Sequence, residues 1–247
     1  MQSVLDSLSE YCRKSKLKIN QEKSKAMLFN RTTKHDFSPK LSLVPGQDLE
    51  LVEELKLVGY QLRSDLRTVS NTEYIVRRAW KRMWVVRRLK ALGASEQELL
   101  KVLRAQVLSV LQFATPAWST LLTSQESNRI ESVLRTGLYL VYGERFQSFS
   151  WALREAKIST MKEQRTRMFR KFTRDCISST KFRHWFVRTE DQSPATRIQK
   201  PWFKPVPGRT QGFLKSAIPQ MVKLANSPGF LSSKKKLVLN SGQIVVI

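Results

Sequence analysis

The sequence predicts an α+β fold: a short N-terminal helix and β-hairpins, then a mainly α-helical bundle, then a basic, partly disordered C-terminal tail. Three observations predict it. Between Leu17 and Leu62, short apolar runs alternate with turn residues. Between Glu73 and Gly143, long apolar stripes at helical spacing lie between capping signals. From Pro194 onward, prolines and cations replace both patterns. Apolar periodicity is the primary sign of element type, and turn residues mark the breaks.

Gln2 to Arg13 reads as an amphipathic helix with Val4, Leu5, Leu8, Tyr11 and Cys12 toward a core. Leu17–Phe29 reads as two short strands around a polar turn at Asn20–Ser24. Leu41–Val44 and Leu49–Val52 flank Pro45-Gly46 as a further hairpin. Leu55–Leu62 reads as one strand, with Gly59 marking a bulge or a close backbone approach.

The next stretch organises the chain. From Glu73 to Leu92, Ile75, Val76, Ala79, Met83 and Val86 share one helical face. Arg77, Lys81 and Arg88 gather opposite, with Trp84 at their edge and Trp80 assigned to the core. Gly93 stops this helix, because glycine tolerates positive φ. Ser95 and Glu98 form a capping box for the following one. That helix, Leu99 to Ala114, is apolar on nearly every side of its later turns, Phe113 included, which predicts a buried core helix ended by Pro116. Trp118 reads as a packed aromatic after the stop. Thr123 and Glu126 cap a third helix that carries Ile130, Val133, Leu134 and Leu138 to Gly143.

Phe149 to Ala156 forms a short helix. Thr160 and Glu163 cap another, in which Met168, Phe169, Phe172 and Cys176 are set among Arg165, Arg167, Arg170, Lys171 and Arg174. Pro194, Pro201, Pro205, Pro207 and Gly208 punctuate an extended or disordered basic stretch, Ser216 to Leu224 forms a last helix, and Lys234–Lys236 onward carries no pattern.

Composition narrows the function. The 247 residues hold 44 Lys and Arg against 20 Asp and Glu, a formal charge of +24 that recurs in many segments. Such a surplus repels itself unless a polyanion is near, so nucleic acid is the leading partner class and an anionic membrane surface the second. Cys12 and Cys176 do not make a disulfide scaffold, and with His35 and His184 they fit no zinc-ligand spacing, so no metal site is expected. No apolar run approaches membrane-span length and no signal peptide follows Met1. The expected location is intracellular, nucleus or cytoplasm, rather than secreted.

The order of segments then becomes specific. Leu17-Lys-Ile-Asn-x-x-Lys-Ser24 with Met27-Leu-Phe29, Lys56-Leu-Val-Gly59, the basic helix, Leu89-x-x-Leu-Gly93 and Phe113-Ala-Thr-Pro-Ala-Trp118 follow in series. Phe149-x-Trp-Ala-Leu153, Arg165 to Phe172, Phe182-x-x-Trp-Phe186 and Ser216-Ala-Ile-Pro219 continue it. Over residues 1–225 this resembles the part of a LINE-type (non-long-terminal-repeat, Jockey-like) retrotransposon reverse transcriptase that follows its catalytic aspartates.

The resemblance implies four regions: 1–70, the end of a palm with a primer-grip-like hairpin; 71–145, a helical thumb; 146–188, a helical connection; and 189–247, a basic tail. It implies that Lys23 stands beside the incoming nucleotide, where a lysine can protonate or neutralise the leaving pyrophosphate. It implies a primer grip at Leu57, Gly59 and Tyr60, although Leu57 replaces the tyrosine that the family usually carries. The thumb would lie along template–primer, with Arg77, Lys81, Trp84 and Arg88 against RNA, DNA or RNA–DNA duplex.

Polymerase chemistry needs paired carboxylates that hold two Mg²⁺ ions. In the family these lie upstream, in a palm and fingers region. No Asp-Asp pair occurs in this chain, and Glu53-Glu54 and Glu190-Asp191 lack the strand–turn–strand setting. The expectation is a truncated RNA-directed DNA polymerase that binds template–primer but is inactive alone and holds no cofactor itself, Mg²⁺ belonging to the full-length enzyme. The alternative is a non-enzymatic basic RNA- or DNA-binding protein.

Overall fold

A computed structural model describes residues 2–29, 40–44, 47–189, 202–230, 237–238 and 244–245. It is mainly helical with a few short strands. The chain divides into two compact units, residues 1–74 and 75–247.

In the first unit, α1 (Gln2–Lys14) runs to a left-handed stop at Lys16, where the Leu17 N–H reaches the Cys12 carbonyl at 2.8 Å. Three short pairings follow. β1 (Lys25–Ala26) lies parallel to β4 (Glu50–Leu51), and β2 (Ser42–Val44) lies antiparallel to β3 (Gln47–Asp48). β5 (Glu54–Leu57) and β6 (Tyr60–Arg63) form an antiparallel hairpin.

Several sequence expectations are corrected here. Leu17–Ile19 is not a strand, and Lys25–Ala26 pairs with a distant segment instead of a neighbour. The partner of β2 is Gln47–Asp48 and not Leu49–Val52; Pro45-Gly46 itself lies outside the described residues. α1 buries no residue fully, and Val4, Leu8 and Tyr11 are exposed. The half-buried stripe of α1 is Gln2, Leu5, Ser9 and Cys12, one position round the wheel. Polar bonds select that stripe: Gln2 Nε2 and Ser9 Oγ donate to the Ser42 and Leu43 carbonyls at 2.8 and 2.6 Å. Backbone groups at a strand edge need partners, and these side chains supply them.

The second unit begins within α2 (Val69–Ala91), which spans the division between the units. Its Ile75, Val76, Ala79, Met83 and Val86 are buried. Gly93, at φ 83°, ends it in a Schellman motif: the Ala94 N–H reaches the Leu89 carbonyl and the Gly93 N–H that of Lys90. The Ser95–Glu98 capping box is formed and starts α3 (Glu96–Val102). The helix then widens into a π segment, Leu103–Leu108, before α4 (Ser109–Gln112). A π turn holds more than four residues, so Leu103, Val107 and Leu108 share one face, and all are buried.

Pro116 does not end this helix. Phe113 is extended and Ala114 left-handed at φ 49°, so the break comes earlier. Pro116 sits in the first turn of α5 (Thr115–Trp118), where its missing N–H costs nothing. Phe113, expected in the core, is exposed, while its carbonyl accepts the Nε1–H of fully buried Trp118 at 2.9 Å.

α6 (Ser124–Tyr142) starts on the expected Thr123–Glu126 box and buries Ile130, Val133, Leu134 and Leu138. α7 (Phe149–Ala156) packs on it through an edge-on Tyr142–Trp151 pair, 5.1 Å between centroids. α8 (Met161–Ser178) begins on the Thr160–Glu163 box. After it, α9 (Gln211–Leu214) and α10 (Ala217–Ala225) form, and Leu237–Val238 pairs with Ile244–Val245. Phe169 and Cys176 of α8, Phe186, Phe203, Met221, Val222, Ala225 and Phe230 build a second core. Residues 202–230, read as tail, are therefore partly core. Pro194, Pro201 and Lys234–Lys236 lie outside the described residues.

The bundle closes at Gly137 of α6. A Cβ there would meet Leu103 Cδ1 at 2.6 Å and Met83 Cε at 3.3 Å, so helix backbone and side chains touch with no room for a methyl. Leu103→Ala should cost about 2–5 kcal/mol through the cavity it leaves. Gly137→Ala alone should be held back by overpacking. In the Leu103→Ala background the same change should refill the cavity and be stabilising. Chemical denaturation of the four proteins reads this coupling, and additive effects would contradict the packing described.

Candidate functional site

The basic face of α2 follows from its register. At 3.6 residues per turn, Arg77, Lys81, Trp84 and Arg88 fall within about 60° of arc and along about 16 Å of axis. All four are exposed, Trp84 by 64%. Among the described residues, Arg77, Lys81 and Arg88 make no ion pair or hydrogen bond.

Neighbouring cations on the helix are used differently. Arg82 Nη1 donates to Gln106 Oε1 at 3.2 Å, and Lys90 Nζ to the Leu140 carbonyl at 2.5 Å. Those two side chains tie α2 to the bundle, whereas the stripe is left unneutralised. Trp80 is a correction: it belongs to the solvent side of α2 and not to the core. The stripe that reaches the core is Val76, Ala79, Met83 and Val86, and Trp80 lies outside its arc.

The other sequence candidates lie in the first unit. Lys23 is exposed in the turn after Asn20, whose Oδ1 accepts the Lys23 N–H at 3.0 Å. Leu57, Gly59 and Tyr60 belong to the β5–β6 hairpin, which corrects the single strand read over Leu55–Leu62. Its turn is Val58-Gly59, with φ 48° and 85°, the positive pair that a tight two-residue hairpin needs. Leu57 faces Tyr60 across the turn; Leu57 is exposed and Tyr60 half-buried. A β-branched valine rarely adopts positive φ, so the sequence carried no turn signal at this position.

A polar network braces the hairpin, and sequence reasoning missed it. Arg63 donates to both carboxylate oxygens of Asp65 at 3.0 Å and to Glu54 Oε1 at 2.5 Å. Ser70 Oγ donates to the same Glu54 oxygen at 2.8 Å, and the Gln61 N–H to Asn71 Oδ1 at 3.3 Å, so the hairpin is tied to the first turn of α2. The Arg63 hydrogen bond holds the Asp65 carboxyl below its ordinary range. Only the opposition of Glu54 and Arg63 across the ladder could have signalled this, and it depends on the register.

Arg165 departs from the other α8 cations. It is 5% exposed, whereas Arg167, Arg170, Lys171 and Arg174 are exposed. The signal was in the sequence: Arg165 lies four residues before Phe169 and eleven before Cys176, on the apolar stripe. Arg170 and Arg174 lie over the Phe230 ring, at 6.0 and 5.1 Å from its centroid. Among the described residues no cluster of His, Cys, Asp and Glu could hold a metal ion. In the same residues no helix is long and apolar enough to cross a membrane.

No protein-family model, curated protein or solved structure matches the chain.

The hairpin turn gives a direct check. Val58 is 85% exposed, so its side chain contributes little packing, while its left-handed backbone costs about 1–2 kcal/mol. Val58→Asn places the favoured Asn-Gly pair in that turn and should stabilise the protein by about 1 kcal/mol. Urea denaturation measures it; a destabilised variant would mean that the turn is not of this type.

Proposed function

We propose that the chain binds nucleic acid along the exposed face of α2, as the palm-end, thumb and connection portion of a LINE-type reverse transcriptase. The binding half rests on one observation: Arg77, Lys81 and Arg88 project unpaired from a helix whose opposite face is anchored in the core. Unneutralised charges spaced by about one and two helical turns along one face suit a phosphate backbone, which releases counterions when lysine and arginine approach it. Trp84, exposed among them, offers an aromatic surface for an unpaired base. Nothing in this face reads base edges, so binding is expected to discriminate weakly among sequences.

The ancestry half rests on the series of segments from Leu17–Ser24 through Ser216–Pro219. In that frame the β5–β6 turn takes the primer-grip position and Lys23 the nucleotide-flanking one. Paired carboxylates for metal-assisted phosphoryl transfer are the part this chain lacks in sequence, so they would come from an upstream palm and fingers region.

The test pairs binding with stability. Replacing Arg77, Lys81 and Arg88 together by alanine should flatten the slope of log K against log salt for primer–template duplex by roughly two to three units. The melting temperature should stay close to the parent's, because exposed helix substitutions change stability by about 0.5 kcal/mol or less. An unchanged slope would show that the face is merely solvated. The inactivity of the chain alone is checked by primer extension on an RNA template with Mg²⁺ or Mn²⁺: the 247-residue chain should give no product. Extension by the purified chain would overturn the reading of it as a fragment without the catalytic carboxylates.

A further inference from the structure

The second unit holds a cleft of about 610 Å³ that α2 does not line. It is walled by the loop before α6 and the first turn of that helix, by one side of α8, and by α10. Its lining is one-sided in charge. Lys162, Arg165, Arg170 and Lys223 contribute cations, no aspartate or glutamate among the described residues lines it, and the remaining polar lining is hydroxyls and side-chain amides, Ser127 and Thr166 among them.

Arg165 sets the character of the cleft. Its guanidinium is almost wholly buried and forms one hydrogen bond, from Nη2 to Ser127 Oγ at 2.6 Å. Nη1 is buried with no acceptor among the described residues. Glu131 attracts it at longer range but makes no ion pair with it, and the Glu131 carboxylate accepts the Met161 N–H at 3.1 Å. Glu126, at the start of α6, is occupied by its capping box, accepting from the Thr123 N–H and hydroxyl. A buried guanidinium with an unfilled donor and no ion-pair partner is costly, because its desolvation is not compensated. A fold that keeps one at the floor of a basic, hydroxyl-lined cleft is arranged for an anion from outside.

We propose that this cleft binds a phosphoryl group, with Arg165 supplying charge from the floor and Lys162, Arg170 and Lys223 its direct contacts. A tetrahedral dianion suits the lining: it accepts several hydrogen bonds at once, and ammonium, guanidinium and hydroxyl groups are its usual donors. The site rests on its own observations and stands whether or not the α2 face binds nucleic acid.

Inorganic pyrophosphate is the probe, titrated calorimetrically into the full chain against chloride at matched ionic strength. Saturable one-site binding to the parent is expected. The rim variant Lys162→Ala/Lys223→Ala should weaken it by about tenfold or more, the effect of losing charge-assisted hydrogen bonds. The Arg77→Ala/Lys81→Ala/Arg88→Ala protein, which loses more charge elsewhere, should bind like the parent. Arg165→Met should abolish binding yet melt at or above the parent's temperature, since it replaces an uncompensated buried charge by an apolar side chain of similar length. Should that variant fail to fold, the rim variant decides. No difference between pyrophosphate and chloride, or equal losses in the rim and α2 variants, would overturn the site. A 5′-phosphorylated strand compared with its 5′-hydroxyl form identifies the source: tighter binding of the first indicates an end phosphate, and equal binding an internal one.

Discussion

The contact of Met83 and Leu103 with the bare backbone at Gly137 is the constraint on which the second unit depends. It joins α2, the π segment and α6, elements separated by tens of residues in sequence. Because protein interiors are packed nearly as densely as organic crystals, a contact of this kind sets the rotation of each helix about its own axis. Once Met83 points inward, Ala79 and Val86 follow, and Arg77, Lys81, Trp84 and Arg88 must point outward. The basic stripe is the far side of a packed face, and its direction follows from apolar contacts rather than from any interaction among the cations.

Charge is distributed by the same logic. Most cations among the described residues are exposed, and exposed pairs such as Lys14–Glu10 contribute little to stability. A few are structural. Lys90 and Arg82 reach carbonyl or amide oxygens of neighbouring helices, and Arg104 Nη2 donates to the Ala156 carbonyl at 2.6 Å. The Lys90 and Arg104 bonds satisfy backbone oxygens near the ends of α6 and α7, where no intrahelical donor remains. Among the described residues, Arg77, Lys81 and Arg88 on the α2 face have no such acceptor, and these are the cations on which the proposed nucleic-acid contact rests. The formal charge of +24 therefore resolves into positions with different roles.

The first unit is held differently. Among its described residues no apolar side chain is fully buried, and the buried residues are Thr68, Asn71 and Thr72. Its short pairings are braced by polar contacts: Lys25 with Glu50, Arg63 with Glu54 and Asp65, and Gln2 and Ser9 with the β2 backbone. Short strands need such support, since an isolated hairpin is marginal in water. That reliance on specific polar partners explains why its pairings were hard to read in advance, whereas the helical unit followed its periodicity.

By itself the sequence determined the helices of the second unit, because local signals decide them. Each of the capping boxes at Ser95, Thr123 and Thr160 closes within three residues, Gly93 needs only its own freedom at positive φ, and the apolar stripes of α2 and α6 repeat at the helical period. The exposed stripe Arg77, Lys81, Trp84 and Arg88 was legible for the same reason. Only the tertiary structure decided what depends on residues far apart. The parallel partner of Lys25–Ala26 lies 25 residues on, the burial of Phe203 and Phe230 requires α8 and α10 to meet, and the isolation of Arg165 requires α6 to cover it. The turn at Val58 and the break at Ala114 put non-glycine residues at positive φ, against their own preference. Such choices are made by the surrounding fold, which outweighs a local cost of a few kcal/mol, and no local pattern announces them.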